Sequence, residues 1–116
     1  MIVRIWEAQV APRRVDEFCT RLCDEVLPVL RETDGFEGAE LLRSVTELDH
    51  RVLLVTHWRD EAAVRAYAGP MWRIRPVWAE GEFGYLEHPP TVSHFRPTPL
   101  LPEVPQRDRT APVGSP

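Results

Sequence analysis

The stretch RVLLVTHW, Arg51 to Trp58, constrains this chain more than any other. Its residues are strand formers, and along a strand successive side chains point to opposite sides of the sheet. Leu54, Thr56 and Trp58 therefore share one face, and Leu53, Val55 and His57 share the other. A strand that is apolar on both faces needs a cover on each of them. In 116 residues there is material for one domain and one core, not two.

What precedes and follows that strand supplies one cover. Ile2 to Val10 (IVRIWEAQV) reads as a first strand, with Ile2, Arg4, Trp6, Ala8 and Val10 on one side. Pro12 is placed to open a helix, along which Val15, Phe18, Cys19, Leu22, Val26 and Val29 recur at spacings of three and four. Pro28 has no N–H for the carbonyl four residues back, so a kink or break is expected near it. Asp34-Gly35 ends the helix. Phe36 to Val45 reads as a second strand, TELDH as a hairpin turn and RVLLVTHW as the third strand. Asp60 is the N-cap of a helix that Gly69-Pro70 ends. MWRIRPVWAEG reads as a short helical turn, and EFGYLEHPPTVSHF as a last strand or a bulged pair divided at Pro89-Pro90.

The order strand, helix, strand, strand, helix, strand is a ferredoxin-like α+β unit, βαββαβ. Two helices cover one face of such a four-stranded sheet. The other face of the Leu53, Val55, His57 strand then needs a second copy of the same sheet, and symmetric homodimers are the commonest oligomers. The domain is expected over residues 1–96, followed by a proline-rich tail over 97–116, where six of twenty residues are proline.

Composition narrows the function. The net charge is -4 and all fourteen basic residues are Arg, without a basic stripe, which argues against a nucleic-acid partner. No apolar run approaches 18 residues, so no membrane partner is expected. Cys19 and Cys23 lie one helical turn apart, where geometry disfavours a disulfide, and a reducing, cytoplasmic setting fits them. No metal-ligand cluster, glycine-rich phosphate loop or nucleophile beside a base is present, so no metal and no cofactor are expected.

Four pieces, VRIWEAQVAPRRVDEF, VLPVLRETDGFEGAELL, LLVTHWRDEAAVRAYAG and VSHF, together resemble the antibiotic biosynthesis monooxygenase superfamily of dimeric α+β barrels. The resemblance spans about residues 2 to 96, and Trp58 followed by an acidic N-cap is its most telling mark. It implies a homodimer with sheets face to face and, in each subunit, a pocket between sheet and helices for a small aromatic substrate. Members of this superfamily include oxygenases of polyketide phenols that need neither metal nor flavin, haem-degrading enzymes and cyclases. Two departures stand out. Well-known oxygenases of the family carry an Asn four residues before this Trp, where this chain has Leu54. Haem-degrading members take an axial His from the second helical region, yet Glu61 to Gly81 contains none.

On this basis Trp6, Thr56 and Trp58 are expected in the pocket, an aromatic wall that stacks on a flat substrate and donates an indole N–H. Trp72 and Trp78 are candidates for a lid. His57 and His94 are candidate general bases, although His57 points to the dimer side of the sheet. Arg73 and Arg75, with Arg4, are placed to stabilise an anionic phenolate. Tyr85 and Glu82 are a further possible acid and base. His50 and His88 are expected at the surface. Each has a structural alternative, core packing for the Trp residues and a solvated surface for the Arg residues. The functions compatible with these residues are a cofactor-independent monooxygenase of secondary metabolism acting on an aromatic or polyketide-type substrate, a non-oxidative cyclase, isomerase or dehydratase in the same fold, and a non-catalytic small-molecule-binding dimer.

Overall fold

Strand β1 (Ile2–Gln9) is the centre of the architecture, because it pairs on both edges. The computed structural model describes residues 1–46, 48–77 and 85–100. After β1 come a 3₁₀ turn (Pro12–Arg14), helix α1 (Val15–Arg21), a π-helical segment (Leu22–Val26) and helix α2 (Leu27–Arg31). Strand β2 (Phe36–Arg43), strand β3 (Arg51–Trp58), helix α3 (Glu61–Ala68) and strand β4 (Thr91–Phe95) complete the chain. The sheet order is β2-β3-β1-β4 with antiparallel pairs throughout. This is the ferredoxin-like α+β arrangement that the element order implies.

Register sorts the side chains onto two faces. Ile2, Arg4, Trp6 and Ala8 of β1 stand opposite Trp58, Thr56, Leu54 and Val52 of β3, and all eight are buried under the helices. A bulge between Phe36 and Gly38 resets β2, so that Ala39 and Leu41 share this face. Phe18, Leu22 and Leu30 come down from the helices, and Val64, Ala63 and Ala68 from α3. Each large apolar side chain sealed here contributes about 1.5–3 kcal/mol.

The long helical region departs from the expected stripe at Val29, which is 63% exposed, while its neighbour Leu30 is 1% exposed. The π turn is the physical cause. The Leu27 N–H bonds to the Leu22 carbonyl, five residues back, and the extra residue in that turn delays the apolar stripe by one position. Pro28 sits in the first turn of α2, where its missing N–H costs least.

Element ends follow local chemistry. The Asp60 carboxylate accepts from the Ala63 N–H at 2.9 Å, the N-cap anticipated for α3. Gly35 has φ +87°, and a Cβ there would collide with the Cβ of Ala63, so glycine is needed both for the left-handed turn and for the approach of α3. Strand β2 stops at Arg43 rather than Val45. Val10 lies just past β1 and bridges to Leu86, one half of the anticipated bulged pair. Trp78 and Glu82 lie outside the described residues, as does the tail from residue 101 onward. Residues 97–100 are exposed and lack regular structure.

The second face of the sheet carries Val3, Ile5, Leu42, Leu53, Val55, His57 and Phe95. Leu42 is 45% and Phe95 54% exposed. No helix among the described residues covers this face, as the double-sided β3 sequence requires of a two-helix layer.

Candidate functional site

Between the helix face of the sheet and the helical segment lies a cavity of about 230 Å³. Arg4 and Trp6 of β1 and Leu54 and Thr56 of β3 form its floor. Leu22, Glu25, Val26, Val29 and Leu30 form one wall, and Tyr67 of α3 and Val77 close it. The π turn is part of its construction, since Leu22, Glu25 and Val26 of the lining all belong to it. The volume is below the roughly 300–1,000 Å³ of pockets for drug-sized ligands.

Arg4 is 3% exposed. Its Nη1 donates to the Trp72 carbonyl at 2.8 Å and to His94 Nε2 at 2.9 Å, and its Nη2 donates to the Arg75 carbonyl at 3.0 Å. A guanidinium has donors only, so His94 Nε2 is the unprotonated nitrogen of that ring. Burial, then the charges of Arg4 and Arg73, push the His94 pKa down to about 4. His94 is thus a neutral imidazole with one nitrogen already engaged. Burial also lowers the pKa of Arg4 from its usual value, against a smaller opposing effect of Tyr67.

Trp6 is 6% exposed and stacks on Phe18 with centroids 6.0 Å apart. Its Nε1 is buried and has no hydrogen-bond partner among the described residues. A buried donor left unmade costs about 1–3 kcal/mol.

The remaining expected site residues take other places. Trp58 is fully buried behind the cavity wall, stacked on Tyr67 at 4.9 Å, and its Nε1 donates to Thr56 Oγ1 at 2.9 Å. Thr56 in turn donates to the Arg4 carbonyl at 3.2 Å. Trp72 packs edge-on against His94 at 4.7 Å and lies outside the cavity lining. Arg73 is exposed, lies over the Trp72 ring and pairs with Glu61 at 3.5 Å. Tyr85 is buried away from the cavity, where its hydroxyl donates to Glu17 at 2.7 Å and Arg14 covers its ring. His57 stands on the open face, 3.9 Å from Glu40. His88 is exposed, and half-buried His50 meets Glu87 at 3.3 Å.

Of the expected residues, the structure therefore brings Arg4, Trp6 and Thr56 to one cavity, with His94 and Trp72 holding Arg4 from behind. Tyr67, Glu25 and Val77 join the lining without having been singled out. Tyr67 could have been found from its place beside Ala63 and Val64 on one stripe of α3; Glu25 carries no such signal. A second hollow of about 260 Å³ near the hairpin is lined by charged groups already engaged with one another, Arg43 with Asp16 and Arg51 with Asp49. Among the described residues, no group of three or more His, Cys, Asp or Glu side chains could hold a metal ion. No helix among them is long and apolar enough to cross a membrane.

Comparison with solved structures places this geometry among relatives of the same fold. A monooxygenase from Streptomyces coelicolor, in complex with nanaomycin D, superposes with a TM-score of 0.64 at 20% identity, covering 86% of this chain and 89% of that one. A protein from Bordetella bronchiseptica described as an antibiotic biosynthesis monooxygenase gives 0.63 at 24% identity, with 84% and 96% covered. A haem-degrading protein from Mycobacterium tuberculosis gives 0.56 at 24% identity, with 81% and 87% covered. At such identities the likeness is one of fold, and a fold does not name a reaction. Comparison with curated proteins finds no match. The model of one family, antibiotic biosynthesis monooxygenase, matches residues 1–69, well over half of the sequence. The chain belongs to the antibiotic biosynthesis monooxygenase family.

Proposed function

We propose that this protein is a cofactor-independent monooxygenase-like enzyme of secondary metabolism that acts on a flat aromatic or polyketide-type substrate in the cavity above β1 and β3. The observation that carries the proposal is the small, largely apolar cavity itself, with the buried Trp6 indole in its lining. Such a wall stacks on a ring.

The chemistry balances without an added reductant. An activated CH₂ of the substrate becomes a carbonyl. Two C–H bonds break, dioxygen accepts four electrons from the substrate, one oxygen atom stays on carbon and the other leaves as water. The protein need only hold the substrate, exclude water and stabilise developing charge. Oxygen uptake with hydroxyaromatic substrates in the presence of chelator is the expected result. Strict dependence on added iron or flavin would overturn it.

Leu54 supports a second reading. It places an apolar group on the cavity floor where related oxygenases carry an amide, which suits a cyclisation, isomerisation or dehydration guided by shape. Product formation under strict anaerobiosis separates this reading from the first.

The active unit in this proposal is a homodimer that buries Val3, Ile5, Leu42, Leu53, Val55, His57 and Phe95 between two sheets. Contiguous apolar faces of this kind are seldom left open in monomers. The unpaired Cys19 and Cys23 support a cytoplasmic setting.

A further inference from the structure

The two cysteines are nucleophilic groups that the cavity chemistry does not use. Both are unpaired thiols, Cys19 half-buried and Cys23 exposed. Cys19 lies in α1 and Cys23 in the π-helical segment that follows it. Four residues are slightly more than one α turn and less than one π turn, so both thiols stand on one side of this helical region. Burial, opposed by the Arg43 charge and reinforced by Cys23 and Asp16, holds the Cys19 thiol above its usual range. Cys23 thus acts on Cys19 as a near neighbour, and the Arg43–Asp16 ion pair at 2.8 Å lies beside them. A thiol kept protonated in this way is slow to oxidise.

A direct bond between the two sulfurs is geometrically poor. Cβ atoms four residues apart on a helix lie about 5–6 Å from each other, whereas a disulfide holds them at about 3.5–4.5 Å. One atom inserted between the sulfurs accommodates the wider spacing. Zinc is a poor match for that atom, since it takes three or four protein ligands. Among the described residues, no group of three or more His, Cys, Asp or Glu side chains could hold a metal ion. Trivalent arsenic that carries its own organic substituent needs two protein ligands and no third, and as a soft centre it suits thiolates.

We infer that Cys19 and Cys23 form a two-thiol binding site for a monosubstituted trivalent arsenical. In the binding step two S–H bonds break and two As–S bonds form. The oxygen on arsenic leaves as water with both protons, and no atom changes oxidation state. The site spans the junction of α1 with the π turn, and Leu22, Glu25 and Val26 of that turn line the cavity. Bridging the thiols therefore stiffens one wall of the cavity.

Intact-mass spectrometry of the full chain with phenylarsine oxide, in the presence of excess monothiol, tests this directly. The expected product is one arsenical per chain with loss of one water, released again by 2,3-dimercaptopropanol. Two linked thiols hold a ligand ~100-fold or more tighter than one, so Cys19→Ser and Cys23→Ser are each expected to weaken binding by at least that factor. Cys23 is exposed, so Cys23→Ser leaves the core untouched and decides the matter even where Cys19→Ser fails to fold. Undiminished binding by Cys23→Ser, two arsenicals per chain, or an arsenic-bridged pair of chains would overturn the inference, as would a wild-type chain without adduct. Hydrogen exchange reads the second half of the inference. The adduct is expected to slow exchange over Leu22 to Leu27, where the Leu27 N–H bonds to the Leu22 carbonyl. Unchanged exchange there would overturn the link to the cavity wall.

Discussion

Replacing Leu53 by Asp tests the assembly at its most sensitive point. Leu53 stands on the open sheet face, with Leu42 beside it on β2 and Glu7 beside it on β1. It is already half-buried in the single chain, so dimer burial adds about 1–2 kcal/mol of the ~1.5–3 available to a full leucine. A two-fold interface counts each change twice, giving about 2–4 kcal/mol for the lost apolar contact. Each new carboxylate adds a desolvation penalty of several kcal/mol and sits directly opposite Glu7, a like charge. The total is at least about 6 kcal/mol, which weakens dimerisation by roughly four orders of magnitude. Sedimentation velocity over a concentration series, with circular dichroism on the same samples, reads the outcome. The wild-type chain is expected to sediment as a dimer. Leu53→Asp is expected to lose the dimer and then aggregate or unfold, because its remaining face is apolar. A dimer of unchanged affinity would show that this face is not the interface. A soluble, well-folded monomer would show that the face needs no cover.

Three further outcomes follow from the packing and titration of the chain. Phe18→Ala removes a fully buried ring that contacts both Trp6 and Tyr85, and guanidinium unfolding is expected to show a loss of about 3–5 kcal/mol; a loss below about 1 kcal/mol would mean that the cluster is loosely packed. Gly35→Ala forces a side chain into φ +87° and onto Ala63, with an expected cost of at least about 1–3 kcal/mol and an unchanged denaturation midpoint as the contrary result. His94 titrates at about 4 in the fold against about 6.5 in the unfolded chain, so between those values the unfolded state holds more protons. Stability from this group is complete above pH 6.5 and declines as pH falls towards 4. Melting temperatures of the wild type and His94→Gln should accordingly converge at low pH, and parallel pH profiles would contradict this.

Much of the fold was legible in the sequence because periodicity and turn chemistry are local. The alternation in IVRIWEAQ and RVLLVTHW declares two strands, and the second shows that both faces need covering. Asp60 and Gly69 bound α3 by caps whose partners lie within four residues. Pro28 marks a disturbance in the helical region, since a missing N–H is a property of the residue itself. Tertiary structure decided the phase of that disturbance: the π turn moved burial from Val29 to Leu30, because fitting against the sheet outweighed the regular stripe.

The site was divided in the same way. Alternation put Arg4 with Trp6 on one face of the first strand and Thr56 with Trp58 on one face of the third, the family resemblance pointed to a shared pocket, and residue chemistry suggested aromatic and cationic roles. Sequence alone gave no means of seeing that the Trp58 N–H is taken by Thr56 while, among the described residues, the Trp6 N–H is left over. Nor did it show that His94, ninety residues from Arg4, meets it as a neutral acceptor. These are pairings across strands and loops, set by register and by which groups water leaves behind. A one-dimensional pattern records which donors and charges a chain owns; only the packed structure determines which of them are left without a partner, and among the described residues the buried Trp6 Nε1 and Arg21 Nε are two such donors.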